Sequence, residues 1–178
     1  MVAQLETFNL DSATRLPYQI EGLIQVFTSS QRHFFTSVIA QSVRIAAQGT
    51  PVLVVQFLKG GVGQGHERPV CLGQNLDWLR CDLPRCIKTP HLDESEVHAL
   101  HQLWECTQDM VLEGKYSLVV LDELSLAIHF GLIAQDEVLS FLKKRPTHMD
   151  LIFTGAEMPD AICDIANQVT EIRYSHQP

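Results

Sequence analysis

No apolar run in this sequence approaches the roughly 18–20 residues needed to span a bilayer. Its first stretch, MVAQLETFNLDSATRLPYQIEG, lacks the apolar core of a secretory signal. Positive charge is scarce: 13 Lys and Arg face 21 Asp and Glu, for a net charge of −8 and a pI near 5.4. A general nucleic-acid binder needs a basic surface to displace counterions from phosphates, so no nucleic acid is expected as a partner. The same deficit disfavours docking on anionic lipid, and no membrane is expected. The one tight basic cluster, Lys143, Lys144 and Arg145, ends an expected helix, where positive charge complements the dipole. Cysteines are few, odd in number (5) and scattered, which implies reduced thiols and a cytoplasmic location.

What is present is the composition of a folded domain. Of 178 residues, 46% are hydrophobic and 19% charged, enough for one domain with a proper core. The expected organisation is an N-terminal arm over 1–21 and a single α/β domain over 22–178. Apolar runs at Leu23 to Phe27, Val52 to Leu58, Leu118 to Leu121, Leu151 to Phe153 and Val169 to Ile172 read as strands buried on both faces. Helical spacing separates them. It runs from Phe34 to Ala46 with Gly49 as a stop, from Val97 to Val111 before Gly114, and from Gln135 to Lys144 before Pro146. A fourth segment spans Asp160 to Asn167 after Pro159. Alternating strands and helices predict a mainly parallel sheet of about five to six strands flanked by helices, a three-layer α/β fold. Gly60 to Leu92 reads as a long irregular segment.

In such a sheet, ligands sit beyond the carboxyl ends of the strands. At one of those ends the run LVVLDEL places Asp122 and Glu123. An acid there either meets a cation such as Mg²⁺ or caps the next helix and bonds a neighbouring loop; the sequence leaves both readings open. The loop after the first strand is where a strand–turn–helix unit would cradle phosphate, using glycines for a backbone nest, a lysine and a hydroxyl. Here that loop is Thr28-Ser29-Ser30-Gln31-Arg32-His33-Phe34-Phe35-Thr36, with neither glycine nor lysine. Arg32 and His33, after two serines at a helix start, can still hold a single anion. Phe34 and Phe35 belong to the core or to a protein contact.

Other patterns carry less. Gly61-x-Gly63-x-Gly65 follows a strand, but His66 takes the third glycine position of a dinucleotide fingerprint and Pro69 intrudes, so loop flexibility is the reading. Cys81, Cys86 and His91, with Cys71, lack the spacing of a tight zinc site. His98 and His101 share one side of a helix, as a solvated face does.

The segments GLIQVFT, VLVVQFLKGG, GHER, SLVVLDELSLAIHFGLI, LIFTG and VTEIR occur in the order found in the ATP:corrinoid adenosyltransferases, which the chain resembles from about Gly22 to Arg173. That resemblance implies a P-loop-type fold, a homodimer and, in an active member, ATP, Mg and a reduced corrinoid. The family's loop resembles YTGxGKGKTTAA. On it, Ser29 and His33 fall on glycines, Phe34 on the phosphate lysine and Phe35 on the magnesium hydroxyl, while Thr36 keeps its type. The family's Gly-Phe-Thr-Trp falls on Arg85-Cys86-Ile87-Lys88, its TGR on Thr154-Gly155-Ala156, and its tail stops at Ser175-His176-Gln177-Pro178.

The resemblance therefore implies a relic nucleotide and corrinoid cleft at Ser29, Ser30, Gln31, Arg32, His33, Thr36, Lys59 and Glu67. It leaves Asp122 and Glu123 as the metal candidates and assigns no catalytic residue. The expected function is that of an inactive homologue working as a binding or interaction module, without a cofactor and with an unidentified protein partner, to be sought around Phe34 and Phe35. One alternative is an active ATP:cob(I)alamin adenosyltransferase whose phosphate site is rebuilt on Arg32 and Lys59. Another is a small-anion or metal sensor.

Overall fold

The apolar runs form the middle of one sheet. In the computed structural model, which describes residues 21–61 and 64–173, seven strands and five helices follow one another along the chain. They are β1 (Ile24–Ser29), α1 (Thr36–Ala47), β2 (Val52–Gln56), β3 (Val70–Leu72), β4 (Leu76–Arg80) and α2 (Glu94–Leu112). After them come β5 (Leu118–Asp122), α3 (Leu124–His129), α4 (Gln135–Lys144), β6 (Asp150–Ala156), α5 (Asp160–Ile165) and β7 (Gln168–Ile172). The expected N-terminal arm up to residue 20, Gly63 and the tail from Ser175 lie outside the described residues.

The sheet order is β3-β4-β2-β5-β6-β1-β7. All neighbours are parallel except β3, which runs antiparallel to β4 at the edge. Every residue of β2 and of β5 is buried, as expected of parallel strands covered on both faces. This is the expected three-layer α/β architecture, with two strands more than the apolar runs announced. Both lie inside the segment read as irregular. β4, LDWLR, has only two fully buried residues, and β3 is a three-residue edge strand with Cys71 and Leu72 exposed. β3 is an apolar run of only three residues and β4 interrupts its own with Asp77, so neither stands out by periodicity.

The two faces of the sheet are unequally covered. Side chains of α2, α3, α4 and α5, with Trp104 and Phe141 among them, pack one face as the larger core cluster. Among the described residues, the other face receives Phe35, Val38 and Ala46 from around α1 alone, and Phe27, Trp78 and Ile172 beside them are only partly buried.

The long segment after β2 is tied down over the sheet's carboxyl edge. Gly61 N–H donates to Leu83 O (2.7 Å) and Ile87 N–H to Leu58 O (2.9 Å), so the connection after β4 lies across the end of β2. Gly60 makes that approach possible: a Cβ there would sit 2.4 Å from both Cβ and O of Leu83. Further on, Asp93 and Glu96 form a reciprocal capping box at the start of α2. Arg85 grips the buried Glu96 through two hydrogen bonds of 2.8 Å, which anchors the connection to the helix.

Candidate functional site

Strands β1, β2, β4 and β5 end on the same edge of the parallel sheet, where chain polarity concentrates loops and helix starts. An open cleft of about 580 Å³ lies there, lined by Arg32, Phe34, Lys59, Arg80, Lys88 and Glu123, together with His33 and Cys86. A cavity of about 660 Å³ at the opposite end of β1, lined by Leu23, Leu142 and Ile165, is larger. The first cleft is the better candidate because it lies at the carboxyl edge of the parallel strands and is lined by members of two ion pairs, Arg32 with Glu123 and Lys59 with Asp122.

Asp122 is the last residue of β5 and is 2% exposed. Its carboxylate accepts from Gln56 Nε2 (2.6 Å) and Lys59 Nζ (2.5 Å) through Oδ2, and from Thr154 Oγ1 (2.6 Å) through Oδ1. Gln56 Oε1 in turn accepts from Trp78 Nε1 at 3.0 Å. A buried carboxylate is tolerated only with such partners, and here three donors supply them. Lys59 is itself buried, and its ammonium lies 3.7 Å from the centre of the Phe34 ring.

Glu123 follows in a left-handed backbone conformation, φ 64°, at the start of α3, without capping that helix through its side chain. A non-glycine residue there carries local strain that its surroundings must hold in place. Its N–H donates to Thr154 O at 2.8 Å. Its side chain is 2% exposed and receives both Nε (2.6 Å) and Nη2 (2.5 Å) of Arg32. Arg32 also donates through Nη1 to Ile87 O at 2.5 Å. These bonds to Glu123 push the guanidinium's pKa above its ordinary value, against the opposing effect of burial.

The loop from Ser29 to Phe35 carries the rest. Ser29 Oγ donates to Gln31 O at 2.5 Å, so it faces its own turn. Ser30, Gln31 and Thr36 are exposed. Phe35 is 2% exposed and occupies the N-cap position of α1 with no side-chain cap. His33 packs edge-on against it, with ring centroids 5.3 Å apart. Among the described residues, only Glu123 and Glu157 outside glycine have positive φ, so no residue of 29–36 does. An anion nest needs an alternation of right- and left-handed residues that points successive N–H groups inward.

The structure thus brings together Arg32, His33, Lys59, Asp122 and Glu123. It does not bring in Glu67, which is exposed and lines a separate depression of about 210 Å³ with Arg68 and Asp82. Asp122 and Glu123, the metal candidates, are each engaged by a protein cation, and among the described residues no three His, Cys, Asp or Glu side chains gather as a metal cluster. Cys81 is buried while Cys71 and Cys86 are exposed. No helix among the described residues is long and apolar enough to cross a membrane. Two lining residues escaped sequence reasoning, Arg80 and Lys88. Arg80 is the last residue of β4, so recognising that strand would have placed it at the carboxyl edge.

Comparison with known proteins fits this geometry. A family model, ATP:corrinoid adenosyltransferase BtuR/CobO/CobP, matches residues 20–178. The chain belongs to this family. A corrinoid adenosyltransferase of Sinorhizobium sp is 29% identical to it over 170 residues, covering 89% of this chain and 75% of that protein. The corrinoid adenosyltransferase CobA of Salmonella typhimurium is 28% identical over 164 residues, 92% of this chain and 83% of that one. The Escherichia coli K12 corrinoid adenosyltransferase is 28% identical over 152 residues, 85% and 76% of the two chains. In this chain, residues 29–36 run from the end of β1 into the start of α1.

Proposed function

We propose that this member of the adenosyltransferase family is catalytically silent and serves as a binding module, requiring neither ATP, Mg nor a corrinoid cofactor. The observation that carries the reading is the pairing inside the cleft. Arg32 is committed to Glu123 and Lys59 to Asp122, and Phe34, which the resemblance aligns with the family's phosphate lysine, lies against Lys59. The groups lining the cleft do not fit a magnesium triphosphate. Its phosphates would meet a phenyl ring in place of an ammonium, and a loop with no left-handed residue to form a nest. A charge-assisted contact is worth roughly 1.5–3 kcal/mol, so losing several at once removes the basis of tight triphosphate binding.

A cytoplasmic homodimer is part of this reading. Support comes from the sheet face that, among the described residues, carries α1 alone, with Phe27, Trp78 and Ile172 only partly buried beside it. Sedimentation equilibrium would give twice the monomer mass; a monomer at all concentrations would remove this part of the reading.

The deciding experiment is isothermal titration of the protein with MgATP, with and without a reduced corrinoid, followed by an adenosylation assay. The expected result is no heat and no turnover above the uncatalysed rate. Micromolar MgATP binding with turnover would establish the alternative, an active ATP:cob(I)alamin adenosyltransferase with a rebuilt phosphate site.

A further inference from the structure

Four cations line or enter the cleft, and only two of them are neutralised within it. Lys59 is paired with Asp122, and Arg32 with Glu123. Among the described residues, neither Arg80 nor Lys88 takes part in an ion pair, although both line the same cavity. The chain as a whole carries 21 acidic residues against 13 basic ones. On such a surface, two unpaired cations in one concavity leave a local positive charge facing solvent where the overall field is negative.

Position and shape add to this. Arg80 closes β4 and Lys88 lies on the connection that crosses the end of β2, so both stand at the carboxyl edge of the sheet. The Arg80 guanidinium lies 5.7 Å from the centre of the Trp78 ring, which restricts its orientation. Phe34 is 52% exposed and its ring packs against the buried Lys59 ammonium, which gives the cleft an apolar wall. The cleft volume, about 580 Å³, falls in the range of small-molecule sites, roughly 300–1,000 Å³.

We propose that the cleft binds a compact dianion bearing a flat apolar group, with its phosphate-monoester or dicarboxylate head on Arg80 and Lys88 and its flat group against Phe34. Side chains alone do the recognising, because loop 29–36 supplies no backbone nest. That limits the head to one compact anion and excludes a polyphosphate as the favoured ligand. The inference rests on the silent-homologue reading and gives it a ligand class.

The test titrates the full chain with inorganic phosphate, phenyl phosphate and phthalate at matched ionic strength, following binding by NMR shifts and calorimetry. Phenyl phosphate against phthalate distinguishes the two kinds of head. Phenyl phosphate should bind about threefold to tenfold tighter than inorganic phosphate, and Phe34→Ala should erase that difference. Arg80→Ala and Lys88→Ala should each weaken binding of the preferred probe by about tenfold, and added salt should weaken it further. Lys88 is exposed on its loop, so Lys88→Ala remains informative if Arg80→Ala does not fold. No binding of any probe, or binding unchanged in Lys88→Ala, would overturn the proposal while leaving the silent reading intact. Adenosylation of a reduced corrinoid would overturn both, since the cleft would then be a working nucleotide site.

Discussion

The ammonium of Lys59 lies 3.7 Å from the centre of the Phe34 ring while it donates to Asp122 at 2.5 Å. One lysine thus bridges the approach to the first helix and the end of the central strand, and an aromatic ring is part of the contact. A cation against an aromatic face contributes about 0.5–1 kcal/mol at exposed sites and up to about 2 when desolvated. A double-mutant cycle with Phe34→Ala and Lys59→Met, read by urea denaturation, should return a coupling of about 1 kcal/mol. A coupling near zero would mean that the ring merely lies nearby.

Arg32→Ala should destabilise the protein by about 2 kcal/mol, because it strands the Glu123 carboxylate, which is 2% exposed. The figure sits below the usual range for a broken buried pair because the Arg32 side chain is 31% exposed. Adding Glu123→Gln should recover most of the loss, since a neutral amide needs no cation. If Arg32→Ala leaves the denaturation midpoint unmoved, the arginine is not held by this pair.

Asp122→Ala should cost more, about 3–5 kcal/mol, because it leaves the buried Lys59 ammonium without its carboxylate and Gln56 and Thr154 without their acceptor. Combined with Lys59→Met, the loss should shrink. Thermal and urea unfolding of the two variants compare these directly.

Burial pushes the Cys81 thiol up to about 12 from an ordinary 9.0. The folded state therefore keeps a proton that the unfolded chain releases. Its contribution to stability is complete below about pH 9 and is lost as pH rises toward 12, at up to about 1.4 kcal/mol per pH unit. Tyr116 is raised as well, chiefly by burial and then by its bond to Asp77, so it adds to the same alkaline loss. Urea midpoints should fall from pH 9 upward, and Cys81→Ala should flatten the first part of that fall. An unchanged slope in the variant would assign the loss elsewhere.

Gly60→Ala should be among the most damaging single methyl additions. The new Cβ would meet Leu83 backbone and side chain at 2.4 Å and the Arg85 carbonyl at 2.7 Å. Backbone on that side cannot yield without lifting the connection that carries Lys88, so a loss of about 2 kcal/mol or more is expected. Hydrogen exchange should show residues 81–88 opening first, and uniform protection there would count against the account.

Much of the frame was legible because its signals are local. Val52-Leu-Val-Val and Leu118-Val-Val-Leu are continuous β-branched and aliphatic runs, and the helices after them carry their periodicity within a dozen residues or so. The absence of glycine and lysine from residues 28–36 was equally legible, because it is a fact of composition. β3 and β4 were not legible. Their half-exposed faces and three- and five-residue lengths resemble loop, and the pairing of β4 with β2 supplies the stability that propensity does not.

The sequence by itself determined the alternation of strands and helices, the acids at the end of β5 and the chemistry missing from the first loop. Each depends on residues near one another in the chain. Only the tertiary structure decided which charges meet. Arg32 reaches Glu123 across 91 positions and Lys59 reaches Asp122 across 63, while Arg80 and Lys88 stand in the same cleft and form no ion pair among the described residues. Parallel strands collect their carboxyl ends on one edge whatever their separation along the chain, and a charge pair is an interaction in space.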